Sequence, residues 1–263
     1  MSSSTSVVPS PSDPMGTVRD SVVIVTGGAG GIGEAISSAL ASRGAHVVVA
    51  DIRTDAAAAV AGRLRAEGLS ASAETLDITD PASAAALVES VLHAHGRIDS
   101  LVNNAGLDAP HGHPSEIDAT HWRHVIDVDL NGAWWCTQAV LPAMTSAGNG
   151  RIVLISSVAA RASGAPLSPA YSAAKAGLLG LTVSLATTLE RDGILVNAIT
   201  PGPTGNTGRA FSPEGREAYL AAHPLGFGGP KPIADAVCYL LDDSGDWLSG
   251  TVLNVSGGDH RGI

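Results

Sequence analysis

The stretch SPAYSAAKAGLLGL begins at Ser168 and places Tyr171 four residues before Lys175. Tyrosine and lysine are scarce here: the sequence has three tyrosines, and its only lysines are Lys175 and Lys231. The run is rich in Ala and Leu and reads as a helix, so an i to i+4 spacing puts both side chains on one face. A phenol beside an ammonium group is a proton-transfer pair, because a nearby cation favours the phenolate. An isolated Tyr-x-x-x-Lys is more often an amphipathic tyrosine near a solvated lysine, so the assignment rests on its surroundings.

A second feature is TGGAGGIG, Thr26 to Gly33. Gly28, Gly30 and Gly33 fit the dinucleotide fingerprint, while Thr26-Gly27 with Gly31 and Gly33 fits a variant spacing that encloses Ile32. In either register the glycines remove side chains where backbone must approach a pyrophosphate at a helix N-terminus. Asp51, about twenty residues downstream at the end of an apolar run, stands where an acid would hold a ribose diol.

Both features demand strand, turn and helix in that order, and the chain supplies them. SVVIVTGG from Ser21 reads as a buried strand breaking into glycines, and GEAISSALASRG as a helix ending at Gly44. AHVVVAD is a second strand, followed by an Ala-rich helix capped by Thr54 and running to Gly68. SASAETLD reads as a third strand, and Thr79-Asp80-Pro81 as the start of a helix to Gly96. IDSLVNNAG holds a fourth strand, and a long helical stretch is expected from about Ile117 to Ala147. RIVLISS is a fifth strand, Pro169–Arg191 the helix bearing Tyr171 and Lys175, ILVNAIT a sixth strand and GTVLNVSGG a seventh. Apolar strands alternating with helices imply an α/β fold: a Rossmann-like, doubly wound, seven-stranded parallel sheet with helices on both faces. Residues 1–20, rich in Ser and Pro, read as a disordered tail rather than a secretory signal. Residues 21–263 read as one domain, with a substrate lid at about 203–230.

The bulk numbers exclude several functions. A net charge of −10 disfavours nucleic-acid and acidic-membrane binding. No apolar run reaches the ~18 residues that would span a membrane. Cys136 and Cys238 offer no disulfide framework, and HGH at His111–His113 has no acidic or Cys partner at metal spacing, so no metal site is expected. A cytoplasmic location follows as the default.

With TGGAGGIG, NNAG at Asn103–Gly106 and YSAAK at Tyr171–Lys175 in order, the chain resembles the short-chain dehydrogenase/reductase family from about Val22 to Gly258. The resemblance implies an NAD-dependent oxidoreductase acting on CH-OH groups. It implies that Tyr171 is the catalytic acid/base and that Lys175 is its partner and a contact to the nicotinamide ribose. A free tyrosine, with a pKa of about 10, is a poor base near neutrality. The lysine cation and the positive charge of an oxidised nicotinamide both favour the phenolate. The family's serine usually stands thirteen residues before the tyrosine, where this chain has Val158. Ser157 is favoured over Ser156 as the residue steadying the substrate oxygen, with one extra residue in the intervening loop. Asn131, in DVDLNGAWW, matches the helix asparagine that holds a proton-relay water.

The same resemblance assigns the cofactor contacts. They are Gly27, Gly30, Gly31, Ile32, Gly33, Asp51, Ile52, Asp77, Ile78, Asn104, Ala105, Gly106, Tyr171, Lys175, Pro201, Gly202 and Thr204, with Thr207 competing with Thr204 for the carboxamide. Asp51 without a cation at Ile52 points to NAD rather than NADP. The terminal VSGG departs from the family's Val-Asp-Gly-Gly and puts in doubt the subunit contact normally made there. The expected reaction interconverts a secondary alcohol and a ketone on a small to medium, largely apolar substrate, in a homotetramer or dimer. The alternatives are a reductase of carrier- or coenzyme A-bound 3-oxoacyl groups and a dinucleotide-binding regulator without turnover.

Overall fold

The computed structural model describes residues 18–107, 113–161, 167–205 and 211–261. The expected strands form β1 (Val22–Thr26), β2 (His46–Asp51), β3 (Ala71–Thr75), β4 (Ser100–Asn103), β5 (Gly150–Ile155), β6 (Ile194–Pro201) and β7 (Val252–Val255). They make one parallel sheet in the order β3-β2-β1-β4-β5-β6-β7. The inner strands are apolar at consecutive positions because both faces are covered. Val23 and Val25 of β1, with Val47 and Val49 of β2, face one core cluster, while Val22, Ile24, Val48 and Ala50 face the other.

The first cluster is covered by α1 (Gly31–Ser42), α2 (Thr54–Ala66) and α8 (Lys231–Leu241). The second is covered by α3 (Pro81–His95), α5 (Gly132–Ala147) and α6 (Pro169–Leu189). Two further helices, α4 (Ala119–Ile126) and α7 (Pro213–Ala222), lie toward the functional end. α3 begins as its sequence dictates: the Asp80 side chain accepts from the Ala82 N–H at 2.9 Å, Pro81 follows, and Gly96 stops the helix at φ 72°.

Several expectations are corrected. Val18 and the turn after it belong to the folded part, since Val18 is 1% exposed in the first cluster; residues 1–17 of the expected tail lie outside the described residues. Thr54 does not cap α2. It is the first helical residue, and its hydroxyl pairs with that of Thr75 at 2.8 Å. The stretch expected as one helix to Ala147 is split, because five residues, Asp127–Asn131, form a π turn between α4 and α5. Finally, Pro169–Asp192 has the length and mean hydropathy, 1.2, to cross a membrane, although no such run was expected. Here its apolar side is packed against the sheet.

Candidate active site

The C-terminal ends of the strands open into a cleft of about 1210 Å³. From β1 the chain winds outward to β2 and β3, then returns to lay β4 on the other side of β1. Open parallel sheets bind ligands at such a reversal, where two neighbouring loops diverge.

One half of the cleft is built from the turn after β1. Asn104 donates through its side-chain amide to the carbonyls of Thr26 and Gly27, at 3.0 and 3.2 Å. The Thr26 hydroxyl in turn accepts from the backbone N–H groups of Asn104 and Ala105, each at 3.1 Å. The turns after β1 and β4 are thus riveted together. A Cβ on Gly33 would stand 2.1 Å from the Gly27 carbonyl oxygen, so glycine is required there for the helix to enter against the turn. Gly27, Gly30 and Ile32 line the cleft, whereas Gly31 and Gly33 act behind it in the turn. Asn103 points the other way and donates to the Thr137 hydroxyl of α5.

Asp51 lies buried at the mouth of this half. Its carboxylate accepts from the Ala29 N–H at 3.1 Å, from the Arg53 N–H at 3.0 Å and from the Arg53 guanidinium at 3.2 Å. The Arg53 side chain lies over the glycine turn, 3.3 Å from where a Cβ on Gly30 would stand. Although Arg53 is two residues beyond Asp51, its side chain folds back onto the carboxylate. Ile52, Asp77 and Ile78 complete this wall. Hydrogen bonds from the side chain and backbone of Thr79 hold the Asp77 carboxyl below its ordinary pKa. The glycine turn at the start of α1, the acid at the end of β2 and the shallow apolar wall fit a dinucleotide.

The other half holds the Tyr-Lys pair and the two serines. Tyr171 and Lys175 share one face of α6, with the Lys175 Nζ 5.6 Å from the centre of the Tyr171 ring. Lys175 is buried, its Nζ 3.1 Å from Asp129 Oδ1 and 3.4 Å from the Ile155 carbonyl oxygen. Burial works against its ammonium form, but the Asp129 carboxylate and Tyr171 offset this and raise its pKa above the ordinary lysine value. Ser156 and Ser157 both line the cleft, with different commitments. The Ser156 hydroxyl is buried and donates to the Lys175 carbonyl at 2.7 Å. The Ser157 hydroxyl accepts from the Ala159 N–H at 3.1 Å, which leaves its own proton available to a ligand.

Asn131 is a correction. It lies outside the cleft and donates to Asp127 one turn back at 2.8 Å. The polar side chain that this element turns toward Lys175 is Asp129, which sequence reasoning passed over. Asp129 lies within the π turn Asp127–Asn131, and Asn131, two residues further on, falls on the other side of the helix.

Pro201, Gly202 and Thr204 form the wall after β6. Ser256 closes the last turn within its own chain: its hydroxyl donates to the His260 carbonyl and accepts from the His260 N–H. The stretch expected as a lid contains the helix α7, whose N-terminus is capped by Ser212 accepting from the Gly215 N–H at 3.0 Å. Tyr219 stacks on Phe227 at 4.5 Å and on His223 at 4.2 Å, and Phe211 meets Phe227 edge-on. Thr207 and His111 lie outside the described residues. The thiols are unfit as nucleophiles, since burial pushes Cys136 up to about 12 and Cys238 up to about 11.

A doubly wound sheet with a glycine turn at one end of its cleft and a Tyr-Lys pair at the other defines a nicotinamide-dependent oxidoreductase. Residues 21–214 match the short chain dehydrogenase family, and the chain belongs to that family. It is 41% identical over 239 residues to cis-4-hydroxycyclohexanecarboxylate dehydrogenase from Sinomonas cyclohexanicum, covering 90% of this chain and 95% of that protein. It is 37% identical over 240 residues to the 3-oxoacyl-(acyl-carrier-protein) reductase of Escherichia coli (strain K12), covering 90% and 96%. The crystal structure of gox2181 superposes with a TM-score of 0.85 at 33% identity, covering 92% of this chain and 96% of that one.

Proposed function

We propose that the protein transfers a hydride between NAD(H) and a secondary alcohol or ketone, with Tyr171 as the general acid/base. The observation that carries this reading is the convergence of Tyr171, Lys175 and Ser157 in one cleft with the buried Asp51. A bound nicotinamide supplies the hydride chemistry. In the oxidative direction the Tyr171 phenolate takes the proton of the substrate hydroxyl, and in reduction the phenol returns it to the carbonyl oxygen. Ser157 donates a hydrogen bond to that oxygen, which gains in strength as negative charge develops there. Lys175 supplies the fixed positive charge that favours the phenolate.

The substrate side is lined by Val128, Leu167, Phe211, Ala218, Tyr219 and Ala222, which supports a small to medium, largely apolar substrate. The 41% identical relative oxidises a hydroxycyclohexane carboxylate, so alicyclic secondary alcohols head the panel of trial substrates. The likeness to a 3-oxoacyl reductase favours a second reading with carrier-bound substrates. Arg216, one of the lid cations that would meet such a carrier, is packed over the Phe227 ring at 4.6 Å.

Alcohols and ketones screened by the absorbance of the reduced cofactor test the reading. With any substrate found, Tyr171→Phe should keep cofactor binding and lose at least about a hundredfold in turnover. Turnover within a few-fold of wild type would sink the assignment.

A further inference from the structure

A buried lysine is a demanding component for an active site. Removing an ammonium group from water disfavours its charged form, by as much as ~3–5 pK units for full burial. Lys175 is 6% exposed, yet its proposed role beside Tyr171 requires it to stay charged while the phenol titrates. The structure answers this with a second buried charge. Asp129 is wholly buried, its Oδ1 standing 3.1 Å from the lysine Nζ and accepting the Leu107 N–H at 3.0 Å. Its Oδ2 is buried with no hydrogen-bond partner among the described residues, so the carboxylate has little reason to be there except the lysine.

The surrounding backbone makes room for the pair. A Cβ on Gly106 would stand 2.5 Å from Asp129 Oδ1 and 3.0 Å from Lys175 Nζ. The turn after β4 therefore has to be glycine for the two charges to meet. The π turn presents Asp129 inward, as described above. No other carboxylate forms an ion pair with Lys175 among the described residues. The remaining titratable groups on this part of the cleft are Tyr171 on α6, His124 on α4, Tyr219 on α7, His223 just after it and Asp259 beyond β7. His223 and Asp259 face one another at 3.6 Å.

We propose that Asp129 is a positioning residue of this site, the buried counter-ion that keeps Lys175 an ammonium and holds it beside Tyr171. The proposal rests on the oxidoreductase reading for its meaning in catalysis, but the ion pair can be tested without turnover. Asp129→Asn is the informative change: the amide oxygen can still accept from Leu107 and Lys175, so the charge is removed while the shape stays. If Asp129 has this role, the variant's lysine gives up its proton within the working pH range. Its catalytic efficiency should then fall on the alkaline side at least one pH unit earlier than in wild type.

The two lysines make the direct measurement simple. Lysine labelled with carbon-13 at Cε gives two signals in the full-length protein, and Lys231→Arg assigns them. In wild type the Lys175 midpoint should lie at or above that of exposed Lys231; a midpoint below it overturns the proposal, whether or not the variant folds. In Asp129→Asn the midpoint should fall by one unit or more, a tenfold change in the proton-dissociation constant, and a smaller fall overturns it. Failure of the catalytic reading would show separately, as no turnover of any alcohol or ketone, or as near-wild-type turnover by Tyr171→Phe, while the two lysine titrations still behave as stated.

Discussion

At the scale of single residues, Asp51 and Arg53 are expected to set the choice of cofactor. A 2′-phosphate beside the Asp51 carboxylate, at about 4–5 Å with an effective dielectric near 20, meets a repulsion of roughly 3–4 kcal/mol. Arg53 reduces this, because its guanidinium already lies on the carboxylate at 3.2 Å. Its side chain is 63% exposed, so the offset is partial and weakened by salt. NAD(H) should therefore be preferred over NADP(H) by about tenfold or more. Arg53→Ala should widen the preference by leaving the acid bare, and Asp51→Ala should narrow it. Steady-state kinetics with both cofactors decide the matter, and a higher efficiency with NADP(H) in wild type would show that Arg53 prevails.

Elements carry a pH dependence of their own. His46 opens β2, and its ring nitrogens lie 2.7 Å from the Ser70 hydroxyl and 3.0 Å from that of Ser72. Its ring stands 4.1 Å from that of His95, the last residue of α3. Burial, and then the charge of His95, hold the His46 pKa below the ordinary 6.5. A lowered folded-state value means that the fold favours the neutral ring. This contribution is complete above pH 6.5 and is lost as the pH falls from there through the folded-state value. Melting temperatures measured from pH 7.5 to 5 should fall less steeply in His46→Gln than in wild type. Parallel curves would show that the edge between β2 and α3 does not sense protons.

At the scale of the whole molecule, the expected assembly is a homotetramer in which α4–α5 and α6 meet their symmetry mates. Closed two-fold contacts suit such faces. Val183 on α6 is 54% exposed, and Trp247, just before β7, is 97% exposed, so apolar surface remains after the chain has folded. Light scattering at micromolar protein should give a tetrameric mass, and Val183→Glu should reduce it. A monomeric mass for wild type would refute the assembly.

The seven strands, their helices and both ends of the cleft were legible in the sequence because each depends on local chemistry. Apolar runs buried on two faces, Asp80-Pro81 at a helix start, glycines where backbone crowds backbone, and a Tyr-Lys pair one turn apart are all short-range signals. The lid helix α7 was not assigned, since it contains no fully buried residue and its apolar signal is weak. Three features were decided only by tertiary structure. Arg53 reaches Asp51 by folding back over the glycine turn, a rotamer that no spacing specifies. Ser156 and Ser157 are adjacent and alike until α6 offers the Lys175 carbonyl to one of them alone. Asp129 rather than Asn131 faces the cleft because a buried lysine from α6 supplies the charge that makes a buried carboxylate tolerable there, a partner no spacing within the helix specifies.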